Sequence, residues 1–358
     1  MAGGSGLRFW PASTQGFPKQ FLPVPTLDKS YIQTTAERFK DLVPPERIVV
    51  ATTRRLAPLV RQHLPWLPEA NIIQEPYNRD TAPCIALATY TILKRDPSAM
   101  MVVVPCDHII RDHAKFRRVL ERSFKALRKS SDVIGTIGLK PTRPDVNYGY
   151  IQTVGIPEID HAAKVKTFVE KPDAELAKQF VDSGEFLWNS GIYIWAGECI
   201  KGEIETFMPE MAEQFKGWEV ALGTPFEADF LDNAYSNITK MSIDYGVMEF
   251  TAKAWVYPTD MDWYDVGTWN SLYNYILTNN KKELDAATLN AANCPHIATN
   301  TKNTLLMSTD SKKLIAVDGL DGYVVINTPD VLLVCPRDDK RLRECVSELY
   351  QSELEKYR

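Results

Sequence analysis

A chain of 358 residues, 44% hydrophobic and 24% charged, is long enough for one large domain and a smaller one. Its formal net charge of −5 argues against a general nucleic-acid binder, which carries a basic face, so an anionic ligand would need local cations or a metal. Six scattered cysteines without a Cys-x-x-Cys pair, no run of membrane-span length and no signal-peptide pattern point to reduced thiols in a cytoplasmic protein with no membrane partner.

The chain starts with Ala2-Gly3-Gly4-Ser5-Gly6-Leu7-Arg8-Phe9-Trp10-Pro11, and Pro18-Lys19-Gln20-Phe21-Leu22 follows. Gly3, Gly4 and Gly6 permit the positive-φ turns of an anion cradle and have no Cβ to hold a phosphate away. Arg8 and Lys19 add two cations, so a nucleoside triphosphate fits. The loop matches neither Gly-x-x-x-x-Gly-Lys-Ser/Thr nor Gly-x-Gly-x-x-Gly. Such a loop hangs from the end of a buried strand. Only Met1 precedes it, so a first strand is expected to be missing from the chain as written, with Met-Ala-Gly-Gly its tail.

Ser30 to Gln33 reads as a capping box, with Ile32, Ala36 and Phe39 at helical spacing behind it. A strand is expected at 48–51, a helix at 55–63 and a short strand at 71–74. In Glu75-Pro76-Tyr77-Asn78-Arg79-Asp80-Thr81 the polar side chains Glu75, Arg79 and Thr81 can meet a purine edge, while helix capping by Asp80 or Thr81 is the plainer reading. That helix runs to about Lys94. The apolar run 100–104 has the look of a central parallel strand. Asp107 follows it in Pro105-Cys106-Asp107-His108, at the carboxyl edge of the sheet, as a loop cap or a Mg²⁺ ligand. His108 reads as structural, because Mg²⁺ prefers oxygen. A helix at 113–128 and a strand at 133–138 complete a βα alternation, the pattern of a doubly wound α/β sheet with ligands at its carboxyl ends.

Further strands are expected at 149–154, 165–170 and 191–195, and helices at 173–183, 198–216, 226–236, 243–251 and 269–277. Three segments suit a sugar phosphate. Gly149 in Asn147-Tyr148-Gly149-Tyr150 allows close backbone approach, Glu170-Lys171 supplies an acceptor and a cation, and Asn189 puts an amide beside a strand start. Singly, each is also a turn glycine, a surface ion pair or a strand-end amide. Asp265, before Gly267, is a turn residue or the second carboxylate of a metal site shared with Asp107. From about 285, short apolar runs at 304–307, 314–317, 323–326 and 331–334 alternate with turn residues, as in a hairpin array or a β-helix fragment. A last helix within 338–356 places Leu342, Cys345, Val346 and Leu349 on one face, to pack on that unit or on a second copy in a homodimer.

Taken together, the glycine loop with its Trp10-Pro11 step, Asp107, Glu170-Lys171-Pro172, Trp188-Asn189-Ser190-Gly191, Ile243-Asp244-Tyr245-Gly246-Val247-Met248-Glu249 and Asp265-Val266-Gly267 resemble the mannose-1-phosphate guanylyltransferase (GDP-mannose pyrophosphorylase) family of sugar nucleotidyltransferases. The resemblance spans nearly the whole chain. It departs at Thr14, near which the family has Arg, at Asn78 and Asp80, where it has Gly and Asn, and at Cys106, where it has Ala.

The resemblance implies a Rossmann-like doubly wound mixed sheet of the GT-A-like nucleotidyltransferase type in residues 1–284. A small β-rich unit with a terminal helix would fill 285–358, with no room for the isomerase domain of bifunctional relatives. It implies GMP transfer from GTP to mannose 1-phosphate with release of pyrophosphate. Asp107 and Asp265 would hold Mg²⁺. Arg8 and Lys19 would neutralise the triphosphate, with Gly3, Gly4, Gly6, Glu75, Arg79 and Thr81 around the nucleotide. Gly149, Glu170, Lys171 and Asn189 would hold the sugar phosphate. Another sugar or base, or an inactive sugar-nucleotide-binding homologue, stays open.

Overall fold

Helix α1 (Tyr31–Glu37) opens on the expected capping box, in which the Ser30 amide donates to Gln33 Oε1 at 2.9 Å. The computed structural model describes the chain except residues 5, 26, 280–287, 291–293, 311, 338, 350–353 and 358, so the expected boundary at 284 lies outside the described residues. Strands β1 (Val50–Thr53) and β2 (Ile72–Glu75) pair in parallel, with α2 (Ala57–His63) between them in the chain. Helix α3 (Thr81–Arg95) is capped by Asp80, whose carboxylate accepts from the Thr81 amide at 2.8 Å.

Strand β3 (Met100–Val103) departs from the sequence reading. It sits at the edge of a six-stranded sheet and runs antiparallel to its neighbour there. An apolar run reports burial on both faces, and says nothing about the direction of the neighbouring strand. Met1 and Ala2 lie between β3 and β1. The Met1 amino group donates to the Val104 carbonyl at 2.8 Å, and the Ala2 amide to that of Ala51 at 2.7 Å. Residues 1–4 themselves are in neither helix nor strand. The short β4 (Ile109–Ile110) and α4 (His113–Leu127) follow.

The remaining strands of the large sheet are β5 (Ile134–Leu139), β6 (Tyr150–Thr153), β7 (Ala163–Val169), β8 (Phe186–Ala196) and β9 (Ala254–Thr259), in the order β3-β8-β5-β9-β7-β6. Only β5 and β9 run parallel within it, so the sheet is mixed. Along β8 the side chains alternate, as a doubly covered sheet demands. Tyr193 and Trp195 pack with Ile85 and Tyr90 of α3 and with Ile200 and Ile204. Ile192 and Ile194 pack with Phe116 and Leu120 of α4 and with Ala177 and Phe180 of α5 (Ala174–Ser183). The helix expected over 198–216 is two, α6 (Gly197–Phe207) and α7 (Pro209–Gln214), because a proline cannot continue the hydrogen-bond ladder. After α8 (Trp218–Ala221) and α9 (Glu227–Asn237), the helix expected over 243–251 is a π-type turn, Asp244–Met248. Strand β10 (Trp263–Tyr264) pairs antiparallel with β4, and α10 (Trp269–Asn279) follows.

Beyond it, β11 (Thr288–Asn290), β13 (Thr304–Ser308) and β15 (Tyr323–Asn327) stack in parallel, as do β12 (His296–Thr299) and β14 (Ile315–Asp318). Paired positions are 16 residues apart between β11 and β13, with Thr288 against Thr304, and 19 apart in the later coils, with His296 against Ile315 and Leu305 against Val324. This is a β-helix, one of the two forms expected. Strand β16 (Leu332–Pro336) turns back antiparallel on β15, and α11 (Asp339–Leu349) closes the unit. Its Leu342, Val346 and Leu349 share a core with Phe9, Trp10, Trp269, Leu305 and Val324. No helix among the described residues is long and apolar enough to cross a membrane.

Candidate active site

The glycine loop is shaped by what would clash. Gly6 lies at φ 62°, and a Cβ there would run into the Lys19 backbone nitrogen, so glycine is required twice over. The loop carbonyls are held by protein donors. Gln20 Nε2 reaches those of Ala2 and Gly4 at 2.9 and 3.0 Å, Asn78 Nδ2 that of Gly3 at 2.6 Å, and the Ser13 hydroxyl that of Gly6. With its carbonyls occupied from behind, the loop has the polarity of an anion cradle. Arg8 sits in a single 3₁₀ turn, Leu7–Phe9, and Lys19 in another, Lys19–Phe21.

Two acidic loops meet opposite this turn. Asp107 lies in the loop after β3. Asp265 follows β10, and the pairing of β4 with β10 brings the two loops together. Lys19 Nζ is 3.1 Å from Asp107 Oδ2 and 3.8 Å from Asp265 Oδ1, and its side chain is only 5% exposed. The ammonium also lies over the rings of Phe9 and Tyr31, at 5.6 and 5.2 Å from their centroids. His108 Nε2 is 3.9 Å from Oδ1 of both aspartates. The Trp263 indole N–H donates to His108 Nδ1 at 3.2 Å, so the neutral ring carries its proton on Nε2, facing the carboxylates. The sequence reading gave His108 a structural place only; its neighbour Asp107 was the available signal. Crowding by protein pushes the Asp107 carboxyl up, but Lys19 and His108 outweigh it and hold the group well below the ordinary carboxylate range. Arg8 completes the group. A Cβ on Gly267 would stand 3.4 Å from Arg8 Nη1 and 3.6 Å from Asp265 Oδ1.

Among the described residues no three His, Cys, Asp or Glu side chains gather as a metal cage. Asp107 and Asp265 form a two-carboxylate oxygen set, the kind Mg²⁺ takes alongside phosphate oxygens and water.

Glu75 closes the loop's other side. It is 3% exposed, with Oε2 turned toward Gly3 and Oε1 accepting from the Tyr235 hydroxyl at 3.1 Å. Burial pushes its carboxyl up to about 7. Arg79 and Thr81 make their resolved bonds elsewhere: Arg79 Nε donates to the Tyr235 carbonyl at 3.2 Å, and Thr81 Oγ1 accepts from the Ile243 amide at 2.8 Å.

The expected sugar-phosphate residues form a second cluster. A Cβ on Gly149 would be 2.5 Å from Glu170 Oε2, and the Gly149 carbonyl accepts from the Asn189 amide at 2.8 Å. Glu170 pairs with Lys171, which lies at φ 44°. Asn189 is inside β8, three residues past its start, where the pairing with β5 shifts register and Gly191 takes φ 67°. Its side-chain amide is bonded within the protein: Oδ1 accepts from the Gly191 N–H, and Nδ2 donates to Tyr193 and to Asp244 Oδ1 at 3.2 and 2.9 Å. Asp244 therefore belongs to this cluster. The sequence marks it only as one position of the Ile243 to Glu249 motif. The Tyr148 ring, edge-on to both Trp188 and Trp263, joins this cluster to the aspartate pair.

A model of the nucleotidyl transferase family matches residues 1–282, and one of the mannose-phosphate isomerase/GMP-like β-helix domain matches 295–349. The chain is 38% identical over 357 residues to the xanthan biosynthesis protein XanB of Xanthomonas campestris pv. campestris, covering 98% of this chain and 72% of that one. It is 33% identical to a mannose-1-phosphate guanylyltransferase of Salmonella muenchen, covering 94% and 70%. The crystal structure named mannose-1-phosphate geranyltransferase from Thermus thermophilus superposes with a TM-score of 0.85 at 30% identity, over 98% of each chain.

Proposed function

The chain belongs to the nucleotidyl transferase family, among the mannose-1-phosphate guanylyltransferases, and from that premise we propose that it makes GDP-mannose and pyrophosphate from GTP and mannose 1-phosphate. The carrying observation is the meeting of Asp107 and Asp265 around Lys19, with Arg8 and the glycine loop against them.

An oxygen of the sugar phosphate attacks the α-phosphorus of GTP in line; the bond to the bridging oxygen breaks, and pyrophosphate leaves with that electron pair. No covalent enzyme intermediate is required, so positioning and charge neutralisation supply the catalysis. Arg8 and Lys19 bind the triphosphate and hold the charge that develops on the leaving pyrophosphate. The loop at Gly3, Gly4 and Gly6 cradles phosphate oxygens, with Glu75, Arg79 and Thr81 on the nucleoside side. Glu170 accepts from mannose hydroxyls above the bare Cα of Gly149, and Lys171 binds the attacking phosphate. Asn189 acts by fixing Asp244 and the Gly149 carbonyl. Asp107 and Asp265 are the residues that would hold Mg²⁺, which when bound neutralises charge on the phosphates.

The test is pyrophosphate release against a panel of nucleoside triphosphates and sugar 1-phosphates. GTP with mannose 1-phosphate should give the highest kcat/KM. A higher value for another pair reassigns the substrates, and release from no pair removes the activity.

A further inference from the structure

The turn that carries Arg8 is three residues long, too short to fix its own geometry. Its place comes from what lies beneath it. Trp10 is 5% exposed, and its indole N–H donates to the carbonyl of Tyr357 at 2.7 Å, 347 positions along the chain. Its carbonyl accepts from the Trp269 indole N–H at 3.1 Å, and Phe9 packs edge-on to the Trp269 ring at 4.7 Å. Below these lie Leu342 and Val346 of α11 and Leu305 and Val324 of the β-helix. The residues flanking Arg8 toward the core are thus anchored on α10 and the C-terminal unit.

We propose that Trp10 is a positioning residue for Arg8, through which the β-helix unit sets the phosphate-facing turn, so that this unit takes part in nucleotide turnover. The inference rests on the role given to Arg8 above. A purely structural Trp10 would lower stability and leave the chemistry of the folded enzyme alone. A positioning Trp10 acts on kcat/KM for GTP, and only while Arg8 is present.

The experiment is a double-mutant cycle on the full chain with Trp10→Phe, which keeps an aromatic ring but loses the N–H and part of the buried ring volume, and Arg8→Ala. Arg8→Ala alone should lower kcat/KM about a hundredfold. Trp10→Phe alone should lower kcat/KM for GTP about fivefold, the size of one net hydrogen bond, through kcat, with KM for mannose 1-phosphate unchanged. In the Arg8→Ala background the same change should cost nothing further. An equal cost in both backgrounds, or full activity of folded Trp10→Phe, overturns the inference and leaves Arg8 in place. A fully active Arg8→Ala removes the underlying reading, and the inference with it. Should Trp10→Phe not fold, Val346→Ala loosens the same platform from α11 and enters the same cycle.

Discussion

With its ammonium 3.1 Å from Asp107 and 3.8 Å from Asp265, Lys19 holds together two carboxylates that would otherwise repel each other across the site. Removing any of the three changes the charge on which the others depend; Asp107 is not a packing residue of the apolar core, whereas Lys19 is buried over the rings of Phe9 and Tyr31. Asp107→Asn should therefore lower turnover at least about a hundredfold while the melting temperature stays within a few degrees. Pyrophosphate release at the wild-type rate would disprove the assignment. Lys19→Ala should lose far more rate than stability; a variant that simply unfolds would make Lys19 a structural residue. Glu75 behaves in the opposite sense. Its pKa is raised from 4.5 to about 7 by burial, so the folded state binds the proton more tightly than the unfolded chain. The stabilisation is complete below 4.5 and is lost as pH rises through about 7. Glu75→Gln, which stays neutral, should gain stability over the wild type across that window, by up to about 3 kcal/mol, and level off above it. A difference in melting temperature that does not move with pH would contradict this.

Helices and strands were largely readable from the amino-acid pattern, and the misses share a cause. Capping residues and apolar spacing are local, so α1, α3 and α5 appear close to their expected bounds. Strand direction is not local, which is why β3 was misjudged. Strand β9 is absent from the sequence analysis; its pairing with β5 is a tertiary fact. Asn189 looked like a strand-end amide, because Gly191 hides the continuity of β8. The β-helix corners show how local chemistry sets an element. Asn300 and Asn303 take φ 48° and 53°, and Gly319 and Gly322, 19 residues on, take 73° and 78°. Asn300 and Asn303 donate to Asp318 and Asp321 of the next coil at 3.1 and 2.8 Å. Gly322→Ala should therefore cost about 1 kcal/mol from the left-handed backbone alone. Gly202, inside α6 with open space where a Cβ would go, gives the control of opposite sign. Gly202→Ala should add about 0.5–1 kcal/mol by helix propensity. Chemical denaturation of both variants measures the contrast, and equal effects would show that backbone conformation is not what distinguishes the two glycines.

Short apolar runs after residue 285 told of strands, and Leu342, Cys345, Val346 and Leu349 of a buried helix face, from which Cys345 is in fact exposed, but nothing in them named the partner. The packing does. One core draws Phe9, Trp10, Leu22 and Tyr31 from the start of the chain, Trp269 and Ile276 from α10, and Leu305, Val324, Leu333, Leu342 and Val346 from the far end. Exposing any of these contributors alone would leave the others facing water, so the two parts of the chain cannot lose structure one at a time without a large apolar penalty. Melting should accordingly be a single cooperative transition, with tryptophan fluorescence, to which Trp10 and Trp269 contribute, and far-ultraviolet circular dichroism coincident. Leu305 is fully buried in the β-helix, and Leu305→Ala should cost about 2–5 kcal/mol. Because the core is shared, the loss should appear in both probes together, and the glycine-loop tryptophan signal should shift with it although the substitution lies 295 positions from Trp10. Two separate transitions, with only one displaced by Leu305→Ala, would mean that the β-helix unit folds apart from the phosphate-facing turn.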